Sequence, residues 1–248
     1  MSQLFNNFLV VPLYNLLVLI LNHVPFVDLG FAVILLTIIV RLILFPLSKS
    51  SIKTQLKMKD IQKPIEEIKQ KYKDDQQKMA IETMKFYKEN DIKPFSGILL
   101  LFIQLPIIFA LYFVFLKEGL PNIDLNLLYS FVHAPEFVNP KFLGIFDLAS
   151  KSVTLALLAG ATQFLQARLM LKKNNQPTEK PTENNFQNDL MKSMQIQMQY
   201  VLPGLMIAFS YSLGSVVALY FTTSNIFSIL QEIYLKKKLA QETLPKVV

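Results

Sequence analysis

Long apolar runs decide what this chain can become. A helix that crosses a bilayer needs about 20 mostly apolar residues. Residues 29–47 read LGFAVILLTIIVRLILFPL, and residues 97–116 read GILLLFIQLPIIFALYFVFL. Residues 152–171 form a third run, carrying Gln163 and Gln166. The stretch from 195 to 235 is too long for one crossing and divides best near 211–214, giving spans over 195–211 and 215–235. The expectation is an all-α polytopic membrane protein with five transmembrane helices in one membrane domain, residues 1–248. Residues 10–23 are shorter and interrupted by Pro12 and Asn15. They read as an amphipathic helix at the membrane interface.

Charge distribution sets the orientation. The net charge is +7 with 25 Lys and Arg. Of these, 12 lie in residues 48–96, 5 in 168–192 and 4 after 235, against 3 in the intervening loops. Basic residues mark the cytoplasmic side, which places the N-terminus outside and the C-terminus inside. Residues 48–96 also hold 8 acidic residues, a mixed surface without the concentrated stripe of a nucleic-acid footprint. The chain has no cysteine, which excludes a disulfide framework and a thiol nucleophile. Neither a metal-spaced histidine cluster nor a Gly-rich phosphate loop is visible, so no enzyme chemistry and no cofactor are expected.

Residues 48–96 are not featureless. Ile52, Leu56, Ile61, Ile65, Ile68 and Tyr72 recur at helical spacing, with Pro64 interrupting them. Asp74–Gln77 has the spacing of a capping box, and Met79, Thr83, Phe86 and Tyr87 line one face of the segment that follows. The segment therefore reads as a cytoplasmic helical hairpin.

One residue is in the wrong solvent. Arg41 stands inside the first apolar run, where a charge costs about 2.5–3.5 kcal/mol at a helix centre. No span supplies a carboxylate to pair with it. Thr37, Gln104, Gln163, Gln166 and Asn225 fall at comparable depth on the expected spans. Each alone reads as helix-to-helix glue. Together, around an arginine, they suggest a wet cavity open to the cytoplasm and closed outside. Such a cavity attracts an anion: a small organic solute, as in a transporter, or an acidic stretch of polypeptide.

The residues LLTIIVRLILFPLS, then KMKDIQKPIEEIKQKYKDDQQKMAIETMKFYKENDIKPFSGILLLFIQLPIIFALY, closely resemble the YidC/Oxa membrane protein insertases. The arginine before Pro46-Leu47, the Gln104-Leu105-Pro106 triplet, FLGIFDLASKS at 142–152 and LYFTTSNIFSILQEIYL near the end carry the resemblance. It implies a bacterial plasma-membrane protein that inserts nascent membrane proteins, alone or beside the Sec translocon. It also implies a hydrophilic groove centred on Arg41, with Gln104 as a wall residue and the hairpin receiving substrate. The expected partners are nascent chains, the Sec translocon, the ribosome and the lipid bilayer, with no direct nucleic-acid contact. Two positions depart from the family pattern: Phe221 stands where tryptophan is usual, and Ser212-Leu213-Gly214 replaces Pro-Ala-Gly. The large extracytoplasmic domain and the lipobox of other members are not expected, nor is a long ribosome-binding tail.

Overall fold

The computed structural model describes residues 3–23, 28–93, 96–117, 122–171 and 196–243. The basic loop expected between 172 and 195 lies outside them. The chain divides into two compact units, residues 1–42 with 106–231 and residues 43–105 with 232–248.

In the first unit, helix α1 (Gln3–His23) has 21 residues and is long and apolar enough to cross a membrane. The expected interfacial helix covered only 10–23. The extension comes from Gln3–Val10, which contains a π-turn over Asn6–Val10. A proline inside a helix clashes with the carbonyl four residues back. The π-turn adds a residue just ahead of Pro12, and the Val11 amide donates to the Asn6 carbonyl. A second π-turn, Gln197–Val201, stands in the same relation to Pro203. Asn15 does not weaken α1, because its amide is fully used. Nδ2 donates to the carbonyls of Val11 and Leu127, both at 2.8 Å, and Oδ1 accepts from the Tyr129 amide at 2.7 Å. The Tyr14 hydroxyl accepts from the Asp124 amide at 2.7 Å. A buried polar group must be bonded, and these bonds fasten α1 to the 122–133 segment.

Helix α2 (Leu29–Ile43) buries Leu29, Ala32, Val33 and Leu36. The Asp28 carboxylate caps it, accepting from the Phe31 amide at 2.9 Å. α2 stops short of the expected 47, and the next helix, α3 (Phe45–Asp60), starts after a break at Leu44. Pro46 explains the break: it has no N–H to donate and its ring crowds the carbonyl of residue 42. By length and composition the described residues hold three helices able to cross a membrane: α1, 153–170 and 215–239. α2 with Phe45–Met58 makes a fourth if the pair is one broken span. The expected five crossings are therefore partly matched.

Helix α7 (Val153–Leu171) packs on α8 (Leu202–Leu213). Gly160 permits the approach, since a Cβ there would lie 2.2 Å from Ile207 Cγ1 and 3.2 Å from the Pro203 carbonyl. Small residues at such crossings let backbones come close. Gly214, at φ +102°, ends α8, and α9 (Ser215–Thr243) begins at once. The expected division near 211–214 falls at this glycine. The starts of α2, α7 and α9 are tied together by residues 139–152. Leu29 donates to the Asn139 carbonyl at 2.9 Å, and the Ser215 amide and hydroxyl donate to the Ser150 carbonyl at 3.2 and 2.6 Å. A two-stranded hairpin, β1 (Lys141–Phe142) and β2 (Phe146–Asp147), lies within that segment.

In the second unit, α3 carries buried Ser48, Ser51 and Thr54 along one face. The hairpin consists of α4 (Gln62–Lys71) and α5 (Gln76–Glu89). The break before α4 falls at Ile61, which puts Pro64 in the first turn, where its missing N–H is not needed. The cap of α5 is Asp75 rather than Asp74; its carboxylate accepts from the Lys78 amide at 3.0 Å. The far end of α5 is closed by Lys57, whose ammonium donates to the Asn90 and Asp91 carbonyls at 3.2 and 3.4 Å. Partial burial pushes the Tyr87 phenol above its usual range. Ile81 and Met84 stay exposed on the outer face of α5.

Candidate functional site around Arg41

Arg41 lies in the last turn of α2. The helix ends two residues later, so the guanidinium stem is about 3 Å from a terminus rather than the 9 Å implied by a span running to 47. Unsatisfied carbonyls at a helix C-terminus favour a cation. Arg41 Nε donates to Ser224 Oγ at 2.8 Å, and Nη2 donates to the same oxygen. The partner is thus a neutral hydroxyl on α9. Among the described residues no carboxylate lies within 4.0 Å of Arg41; the two ion pairs are Lys78–Asp75 and Lys236–Glu232. Arg41 is half-buried, and the guanidinium has five N–H donors. The arrangement leaves donor capacity for an incoming carboxylate, with no anion within 4.0 Å among the described residues.

The other expected site residues fall into different roles. Thr37 is 1% exposed, and its hydroxyl donates to the Val33 carbonyl of its own helix at 2.6 Å. Asn225 is 4% exposed, and its amide donates to Thr162 Oγ1 at 3.2 Å and to the Ala159 carbonyl at 3.4 Å, joining α9 to α7. Gln163 and Gln166 are half-buried on α7. Gln104 is half-buried on α6 (Ser96–Tyr112) and belongs to the second unit.

Ser224, next to the expected Asn225, was not among the expected site residues. It sits in the run Thr222-Thr223-Ser224-Asn225, where every side chain is polar. The two threonine hydroxyls donate back to Ala218 and Leu219, each at 2.9 Å. Only position 224 presents its hydroxyl to Arg41. Phe221 is 6% exposed and packs edge-on against Tyr220 at 5.3 Å, beside an apolar void of about 10 Å³. No group of three or more His, Asp or Glu among the described residues could hold a metal ion.

An α-helical, multi-pass membrane protein with a hydroxyl-held arginine at the end of a membrane helix is the class these features define. The family described as 60Kd inner membrane protein matches residues 20–242, and the chain belongs to it. It is a multi-pass protein of the bacterial plasma membrane. It is 35% identical to the membrane protein insertase YidC of Clostridium tetani over 86% of this chain and 83% of that one. The YidC insertase of Fusobacterium nucleatum is 34% identical, with 84% of this chain and 86% of that one covered. The YidC insertase of Clostridium perfringens is 35% identical, with 85% and 81% covered.

Proposed function

We propose that this protein is a membrane protein insertase, and that Arg41 receives acidic or polar tails of nascent membrane proteins. The observation that carries the reading is the guanidinium held by Ser224, with no carboxylate within 4.0 Å among the described residues. Family membership supplies the class of activity.

The physical steps follow from the residues. A tail carboxylate brought to Arg41 meets a charge-assisted donor, and charge-assisted hydrogen bonds are about twice as strong as neutral ones. A groove open to water lowers the desolvation cost of both ions, which in dry hydrocarbon would exceed their attraction. Gln163 and Gln166 offer polar wall contacts, while the buried Asn225 joins α9 to α7 behind them. The substrate's apolar segment then partitions into lipid, which supplies the driving force. The helical hairpin, with Ile81 and Met84 exposed, receives the segment before it enters. No ATP chemistry is required. The Sec translocon and the ribosome are further proposed partners.

The proposed topology has five crossings, the N-terminus outside and the C-terminus in the cytoplasm, as the basic-residue bias favours. The ties at Asn139 and Ser150, where α2, α7 and α9 begin, support a cavity closed at that end.

A photo-crosslinking residue at position 41, 163 or 166, with a stalled single-span substrate bearing an acidic tail, tests the groove. Crosslinks to the tail are expected. Crosslinks from the hairpin alone would remove the groove role. Neither the site nor the relatives favour a small-anion transporter.

A further inference from the structure

The β1–β2 turn has an unusual composition for a turn facing water. Its residues are Leu143, Gly144 and Ile145. Leu143 has φ +54° and Gly144 φ +70°. The left-handed region suits glycine and asparagine, and a leucine there is uncommon. Leu143 is nevertheless 54% exposed, and Ile145 is 76% exposed. Neither side chain serves the core, so packing does not explain why a strained position carries leucine.

The level of the turn is fixed. The Leu143 amide donates to Asp28 Oδ2 at 2.9 Å, while the other oxygen of that carboxylate caps α2. Phe142 lies over Gly30, where any Cβ would come within 2.2 Å of its ring, and meets Phe31 edge-on at 5.5 Å. Phe31 is 41% exposed on the flank of α2. An apolar track therefore runs from the side of a membrane helix, through Phe142, to the turn. α7 and α9 begin at the same end. Lys141 and Lys151 flank the segment and are exposed, with the Lys151 ammonium 5.7 Å from the centre of the Tyr211 ring; long cationic side chains beside apolar ones suit the lipid headgroup level.

We propose that Leu143 and Ile145 dip into the bilayer interface and anchor the end of the helix bundle where α2, α7 and α9 start. Asp28 holds the strained turn at the depth at which its leucine meets lipid. The anchor keeps the 139–152 segment from lifting off the helix starts that it ties together.

The chain has no tryptophan, so one introduced indole reports alone. Ile145→Trp is reconstituted in vesicles of phosphatidylethanolamine and phosphatidylglycerol, with and without brominated acyl chains. Phe31→Trp serves as the membrane control and Lys71→Trp as the water control. The expected result is blue-shifted emission at 145, loss of intensity with brominated lipid, and weak quenching by iodide. If position 145 follows Lys71→Trp instead, quenched by iodide and not by brominated lipid, the turn lies in water and the proposal fails. Shielding from both quenchers would mean cover by protein, a second copy or another chain, and would equally overturn it. Should Ile145→Trp not fold, Ile145→Cys carrying an environment-sensitive dye gives the same reading on a cysteine-free background.

Discussion

Arg41 and Ser224 form a donor–acceptor pair in which only one member is charged, and that asymmetry makes predictions at single positions. Ser224→Ala removes the acceptor but leaves the cation at the helix end. Insertion of an acidic-tailed substrate should fall less than in Arg41→Ala, in the same reconstituted assay. Asn225→Ala should act on stability instead. It removes the amide that joins α9 to Thr162 Oγ1 and the Ala159 carbonyl of α7, at a cost of about 0.6–1.7 kcal/mol, read by unfolding in detergent. The arginine was legible in the sequence because a charge in an apolar run has few explanations. Its partner was not. Four adjacent polar side chains offered themselves, and helix geometry turns only one of them toward α2. Thr37 and Asn225 were selected by depth along a helix, which does not reveal that each is buried with its side chain hydrogen-bonded to protein.

Of the boundaries that a single residue forces, one was read correctly from the sequence. Gly214 ends α8 in a conformation that other residues avoid, and the expected break fell there. Pro46 was visible as well, yet the run 29–47 was read as one span because its apolar residues continue past the proline. Backbone sterics outrank hydropathy at that point, and α2 stops at Ile43. The N-terminal helix was underestimated for the opposite reason. Pro12 and Asn15 looked disruptive, but a π-turn accommodates the first and the 122–133 segment satisfies the second. Two substitutions test the elements. Gly160→Val places methyl groups against Ile207 and the Pro203 carbonyl, and should lower the thermal midpoint of the purified protein by forcing α7 from α8. Asp75→Ala removes the cap of α5 and should cost about 1 kcal/mol of hairpin stability, seen as faster amide exchange over Gln76–Met79.

At the scale of the molecule, topology and groove are one question, because Arg41 can receive a cytoplasmic tail only if the end of α2 that carries it faces the cytoplasm. The cysteine-free chain allows single cysteines at Asn6 and Glu242 to be labelled in intact cells. With five crossings and α1 at the interface, Asn6 reacts with an impermeant reagent from outside and Glu242 does not. A crossing by α1 protects Asn6 and leaves Glu242 unchanged. Arg41 is proposed to act by attracting negative charge in the substrate. The direct measurement is insertion by reconstituted wild-type, Arg41→Ala and Arg41→Lys proteins of one single-span substrate, with an acidic tail or with its neutral amide counterpart. Arg41→Ala should lose insertion of the acidic tail, Arg41→Lys should retain it in large part, and the neutral tail should respond far less to either change. Equal insertion of the acidic tail by Arg41→Ala and wild type would contradict it.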